Sequence, residues 1–164
     1  MTRLLPLARP LARALALAGV VALGLAAGVT LLDIGLSLVG GGIAGEVDLV
    51  QLGVMAAAWL AMPLAFLDEA HVSVDLLSAR LPQRLGLFLK GLGGLLAVAL
   101  MALVLRYGWD AAAQQLRFGD VSQELGIPIV WYWAPLLAGA ALSVLAALLV
   151  ALADLTAAVR GPAR

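Results

Sequence analysis

His71 is the only histidine among the 164 residues and stands four positions before Asp75, in the stretch His71-Val72-Ser73-Val74-Asp75. On a helix that spacing puts imidazole and carboxylate on one face, within hydrogen-bonding reach. Such a pair can hold a proton acceptor in place or contribute to a metal site. A structural zinc, however, needs about four ligands and a bis-histidine haem a second histidine, and the chain has no cysteine and no further histidine. An orienting contact is therefore the expected role of the pair. The other acids that draw attention are Asp33, Asp48, Asp68, Glu124 and Asp154. None belongs to a G-x-S-x-G elbow, a phosphate-binding loop or an H-E-x-x-H helix, so hydrolase, nucleotide and metalloprotease chemistry lack support. No catalytic residue, cofactor or metal ligand is expected.

The elements that position these residues follow from composition. Hydrophobic residues make up 64% of the chain and charged residues 12%, whereas a soluble domain is roughly half apolar and about a quarter charged. Water cannot solvate that excess. Nothing resembles a linker, so residues 1–164 are expected to form a single membrane domain. Ten basic and ten acidic residues cancel, and without a basic patch nucleic acid is excluded as a partner. The absence of cysteine rules out disulfides and thiol chemistry.

Crossing about 30 Å of hydrocarbon at 1.5 Å per residue takes about 20 apolar residues. Four stretches qualify and predict an all-α integral membrane fold of four transmembrane helices, with spans at about 14–36, 49–67, 87–107 and 129–153. The third has the shortest charge-free core, Gly91 to Leu105, but the flanking Lys90 and Arg106 can snorkel toward the headgroups. Pro128 suits the first turn of the last helix. Pro63 and Pro135 fall inside spans two and four, where each removes a backbone donor and predicts a kink. Arg3, Arg9 and Arg13 ahead of an Ala/Leu run also fit a cleaved signal peptide. The run exceeds the roughly 7–15 residues of a signal core, so a retained anchor is expected.

Positive charge stays on the cytoplasmic side. Arg3, Arg9, Arg13, Arg80, Arg84, Lys90, Arg160 and Arg164 fall on one side of the four spans, and only Arg106 and Arg117 on the other. Both termini are thus expected on the cytoplasmic side. Tyr107, Trp109, Trp131, Tyr132 and Trp133 gather at the outer edge as an aromatic belt. No charge lies at mid-membrane. Asp33 comes 20 residues after Arg13, about 30 Å along a helix, and reads as an interfacial carboxylate; Asp48, Asp68, Glu124 and Asp154 bracket spans two and four in the same way. Between spans two and three, His71, Asp75 and Ser78 form one helical stripe flanked by apolar residues, which fits a helix lying along the interface; Ser73 and Arg80 interrupt the apolar side, and an irregular loop fits as well. Gly24 with Gly28, and Gly53 with Ala57, are small-xxx-small steps that permit close helix packing. Trp59, far from either interface, points to a packed contact within the bundle or with another subunit.

Taken in order, Asp33, Asp48, Trp59, the H-V-S-V-D stretch with His71 and Asp75, then Gly119, Ser122, Leu125, Ile127, Pro128 and Trp131 resemble the motif series of the small membrane subunit of tripartite ATP-independent periplasmic (TRAP) transporters. The resemblance covers most of the chain. One departure is Ser37, where the family often carries an arginine. The resemblance implies a non-catalytic scaffold in the bacterial inner membrane, bracing a large multi-span subunit that carries the substrate and sodium sites. It implies as further partners a periplasmic substrate-binding protein that delivers an organic anion of carboxylate type, and the lipid bilayer. It makes Asp33, Asp48, Trp59, His71, Asp75, Gly119, Ser122, Pro128 and Trp131 the candidate motif or interface residues. The alternatives are the small subunit of a tripartite tricarboxylate transporter and a small membrane enzyme acting on lipid or quinone.

Overall fold

Long runs of Leu and Ala with few interior breakers favour continuous helix. The computed structural model, which describes residues 5–68 and 83–160, contains four: α1 (Leu5–Ser37), α2 (Glu46–Leu67), α3 (Gln83–Phe118) and α4 (Val130–Arg160). Each is long and apolar enough to cross a membrane. Among the described residues there is no β-strand, only an isolated bridge between Val121 and Pro128. The expected interfacial helix or loop, with His71 and Asp75, lies outside the described residues.

All four helices outrun their expected spans, α2 by only three residues. The reason is that helix formation does not stop where hydrocarbon stops. α2, at 22 residues, is about 33 Å long and matches a bilayer core. α3, at 36 residues, is about 54 Å long. It continues past Arg106 because Arg106 and Asp110 form an ion pair one turn apart and Ala111, Ala112 and Ala113 are strong helix formers. α1 begins at Leu5, well before residue 14, and carries Arg9 and Arg13 within its first turns. Pro128 sits in the bridge just ahead of α4 and not in its first turn. Pro63 and Pro135 lie inside α2 and α4, as expected.

The helices pack in the order α1, α2, α4, α3. α1 runs antiparallel to α2: Arg9 meets Asp68 at one end at 4.0 Å, and Thr30 meets Glu46 at the other. α2 and α4 run parallel, and α3 returns antiparallel to α4. α4 is the most enclosed helix, with 39% of its apolar window buried against 11–17% for the others. Phe66 and Leu67 of α2, Met101 of α3, Ala146 and Ala147 of α4 and Ala12 of α1 form a buried cluster, against which Trp59 and Met62 pack. α1 and α3, each with one main neighbour, present their large residues outward; Leu31 is 70% exposed and Leu96 68%. Lipid solvates such surfaces at no cost.

Small residues set the crossings. A Cβ at Gly53 would lie 2.7 Å from the Ala26 Cβ and 2.9 Å from the Ala22 carbonyl oxygen, and one at Gly19 would lie 3.1 Å from the Ala57 oxygen. The Gly53/Ala57 step therefore packs within the chain, against α1. The Gly24/Gly28 step does not, for a Cβ at either would meet nothing within 4 Å. The tightest approach joins α4 to α2, where a Cβ at Gly139 would overlap the carbonyl oxygen of Trp59. Gly139→Ala is expected to cost about 1–3 kcal/mol through forced separation of α2 and α4, read as a lowered thermal midpoint in mild detergent. Gly24→Ala is expected to leave that midpoint unchanged or raise it slightly.

Candidate functional site

Asp48 stands in the first turn of α2 and is 5% exposed. A carboxylate buried there must be matched by donors, and three converge on it. The N–H of Leu125 donates to Oδ2 at 2.8 Å and that of Glu124 at 3.2 Å, and the Ser122 hydroxyl donates to the same carboxylate. All three lie in the segment that links α3 to α4.

That segment is built to deliver them. Gly119 ends α3 with φ +69°, the left-handed conformation in which glycine replaces most residues. Its N–H bonds the Leu116 oxygen at 3.3 Å while the Asp120 N–H reaches the Gln115 oxygen at 3.1 Å, the double closure of a Schellman motif. The chain then folds into a narrow hairpin. Ser122 N–H donates to the Ile127 oxygen at 2.8 Å, Ile129 N–H to the Asp120 oxygen at 3.0 Å, and Ile127 N–H to the Ser122 hydroxyl at 2.9 Å. The Ser122 hydroxyl thus accepts from its own hairpin and donates to Asp48.

The contact is reciprocal. Glu124, at the hairpin tip, accepts the Gly45 N–H at 2.7 Å, immediately before α2. Gly45 has φ +81°, a conformation that favours glycine, and the Leu125 side chain lies directly over it. Each strand of backbone thereby lends its N–H groups to a carboxylate on the other. Tyr132, in the first turn of α4, closes the arrangement by donating its hydroxyl to the Asp48 carbonyl at 3.1 Å. Beside it, Glu46 accepts the Thr30 hydroxyl at 2.8 Å, and Asp33 accepts the Ile43 N–H at 2.6 Å. The negative charges at the start of α2 also sit favourably at the positive end of its dipole.

The structure therefore joins Asp48 and Ser122, with Gly119 and Pro128 shaping the hairpin between α3 and α4. It places Asp33 nearby as a brace for the 38–45 turn. Trp59 lies half-buried in mid-helix, packed against the bundle core. Trp131 is 61% exposed and takes no part in the clamp. Tyr132, expected in the aromatic belt, is buried instead, because its hydroxyl finds a partner inside. Trp133 is half-buried and donates its indole N–H to Gln115. Ser37, at the position of the family arginine, turns its hydroxyl onto the Ile34 carbonyl of its own helix at 2.7 Å.

Gly45 is a member that the sequence does not mark, and Glu124 and Tyr132 are marked there only as interfacial residues. Their partners lie 76 or more positions away in the chain, and no local pattern marks such pairs. Chemically the cluster is a clamp: its acids are occupied by backbone and hydroxyl donors. Among the described residues no group of three or more His, Cys, Asp or Glu is arranged to hold a metal.

A family model described as the DctQ component of tripartite ATP-independent periplasmic transporters matches residues 29–157. No curated protein and no solved structure matches the chain. The clamp gives a direct expectation. Asp48→Ala leaves the part-buried Glu124 and Leu125 N–H groups without their acceptor and should destabilise by about 1 kcal/mol. Asp48→Asn keeps one acceptor oxygen and should cost less. Thermal midpoints, together with protease cleavage in the 119–129 hairpin, read the difference.

Proposed function

The chain belongs to the DctQ-component family of TRAP transporters, and on that premise we propose that this small membrane subunit is a fixed scaffold for the large membrane subunit of a sodium-coupled transporter of organic anions. The family is one of transporter components, not of enzymes, which removes the lipid or quinone enzyme alternative and favours the TRAP reading over the tricarboxylate one. A multi-pass location in the bacterial inner membrane follows from the family and the four spans together.

The scaffold role rests chiefly on where the charges are. Ions and carboxylate substrates crossing a membrane need polar or charged groups at depth. The apolar stretches Ala14–Leu32, Leu49–Leu67, Gly91–Leu105 and Val130–Ala153 carry no charged residue, and of their hydroxyl and amide side chains Thr30, Gln51 and Tyr132 lie near span ends, which leaves Ser143 at depth. At the clamp end Asp33, Asp48 and Glu124 are engaged in holding backbone. A transport pathway must then be supplied by another chain, the large subunit, loaded by a periplasmic binding protein. Outward-facing leucines on α1 and α3 offer the hydrophobic surface such a partner requires. Carboxylate-type substrates and sodium coupling are taken from the family resemblance and not from residues of this chain.

The arginine distribution supports both termini on the cytoplasmic side, with the Asp48–Ser122 clamp at the periplasmic end. Reporter fusions at residues 1 and 164 should both read cytoplasmic, and a fusion in the 119–129 hairpin periplasmic. Purification of the tagged chain from its host in mild detergent should recover a much larger multi-span protein in equal amount. Recovery of the small chain alone, catalysing uptake in vesicles, would end the scaffold reading.

A further inference from the structure

Among the described residues, one buried side-chain polar atom has no hydrogen-bond partner, the Ser143 hydroxyl on α4, in a residue that is 0% exposed. It lies in the middle of the most apolar helix, where an unpaired hydroxyl is unfavourable. A second polar group, on the neighbouring helix, lacks its ordinary partner for a covalent reason. Pro63 in α2 has no N–H, so the carbonyl of Trp59, four residues earlier, receives no bond from the position that would normally supply it.

Both groups belong to the α2–α4 crossing. The Trp59 carbonyl oxygen is directed at α4, since a Cβ at Gly139 would overlap it. Gly139 offers that oxygen only its Cα hydrogens, a weak donor at best. Ser143 stands one turn further along the same face of α4, and helical side chains lean back over the preceding turn. The Ser143 side chain thus leans toward the turn onto which the Trp59 carbonyl opens. Trp59 and Met62 of α2 and Ala146 and Ala147 of α4 pack in one cluster around this level.

We propose that Ser143 is a polar latch, its hydroxyl turning about χ1 to donate to the Trp59 carbonyl that Pro63 releases, so that α2 is fixed to α4 at mid-membrane. The proline marks the point where the row of helices would otherwise flex, with α1 and α2 on one side and α4 and α3 on the other. The latch holds the two pairs as one body. It concerns the chain's own stiffness and stands whether or not a larger subunit is bound.

A double-mutant cycle on the full-length chain in mild detergent, with any partner that accompanies it, tests the latch. Ser143→Ala alone should lower the thermal midpoint by about 2–4 °C. Pro63→Ala restores an N–H for the Trp59 carbonyl, so adding Ser143→Ala in that background should change nothing further. An equal loss in both backgrounds, or no loss in either, overturns the proposal. A second measurement does not depend on the Pro63 variant folding. With Trp109, Trp131 and Trp133 replaced by Phe, carbonyl-13C tryptophan labels Trp59 alone. Its infrared amide band should move to higher frequency on Ser143→Ala, and an unmoved band overturns the latch.

Discussion

Backbone N–H and C=O groups inside or beside a bilayer must be satisfied by the protein itself, and the hardest places are those where helices stop. Two connections meet at one end of this bundle, the 38–45 turn and the 119–129 hairpin. Asp48 and Glu124 satisfy them reciprocally, each carboxylate taking N–H groups from the other's segment. The fold depends on that exchange. α4 begins at Val130, directly after the hairpin, so fixing the hairpin on α2 also fixes where α4 starts. From that start the parallel register follows, with Tyr132 under Asp48 and Gly139 against Trp59. α3 is then tied back to α4 through Gln115 and Trp133.

The packing order has a mechanical consequence. A closed ring of four helices resists bending in every direction, whereas a row can flex at each contact. In this row the α1–α2 contact is backed by interlocking Gly and Ala along its length and by bonds at both ends. The α2–α4 contact, which joins the two halves, carries Pro63, the close approach at Gly139 and the clamp. Whatever rigidity a scaffold requires is therefore decided at α2 against α4. The outer faces of α1 and α3 are free to meet lipid or a partner without disturbing that joint.

Legibility in the sequence followed the reach of each interaction. The four spans were readable because hydrocarbon thickness acts on every residue of a continuous segment, and the windows around 14–36, 49–67, 87–107 and 129–153 each lie within a helix or within one residue of it. The helix ends were not readable from that criterion. Arg9 and Arg106 mark the edge of the hydrocarbon but not the end of hydrogen bonding, so α1 and α3 run on past them. Asp48 drew attention by its place at the start of a span, and the resemblance paired it in order with Ser122. What it binds was hidden, because Glu124 and Leu125 lie more than 75 positions away. Tyr132 illustrates the same limit. Between two tryptophans it reads as an interfacial ring, yet the 100° step of a helix turns it inward while Trp131 faces out.

The carboxylates at the clamp end bear on which subunit handles charge. Asp33, Glu46, Asp48 and Glu124 could together coordinate a cation if their oxygens were free. Each instead accepts at least one short bond: from the Ile43 N–H, the Thr30 hydroxyl, the Leu125 N–H and the Gly45 N–H respectively. The three donors to Asp33, Asp48 and Glu124 are backbone of the two connections and cannot swing away to let an ion in without undoing those connections. A carboxylate that serves transport must be able to exchange its partners during each cycle. One that anchors two connections must not. Asp33, Asp48 and Glu124 have the second character, which is the property the proposed scaffold role calls for.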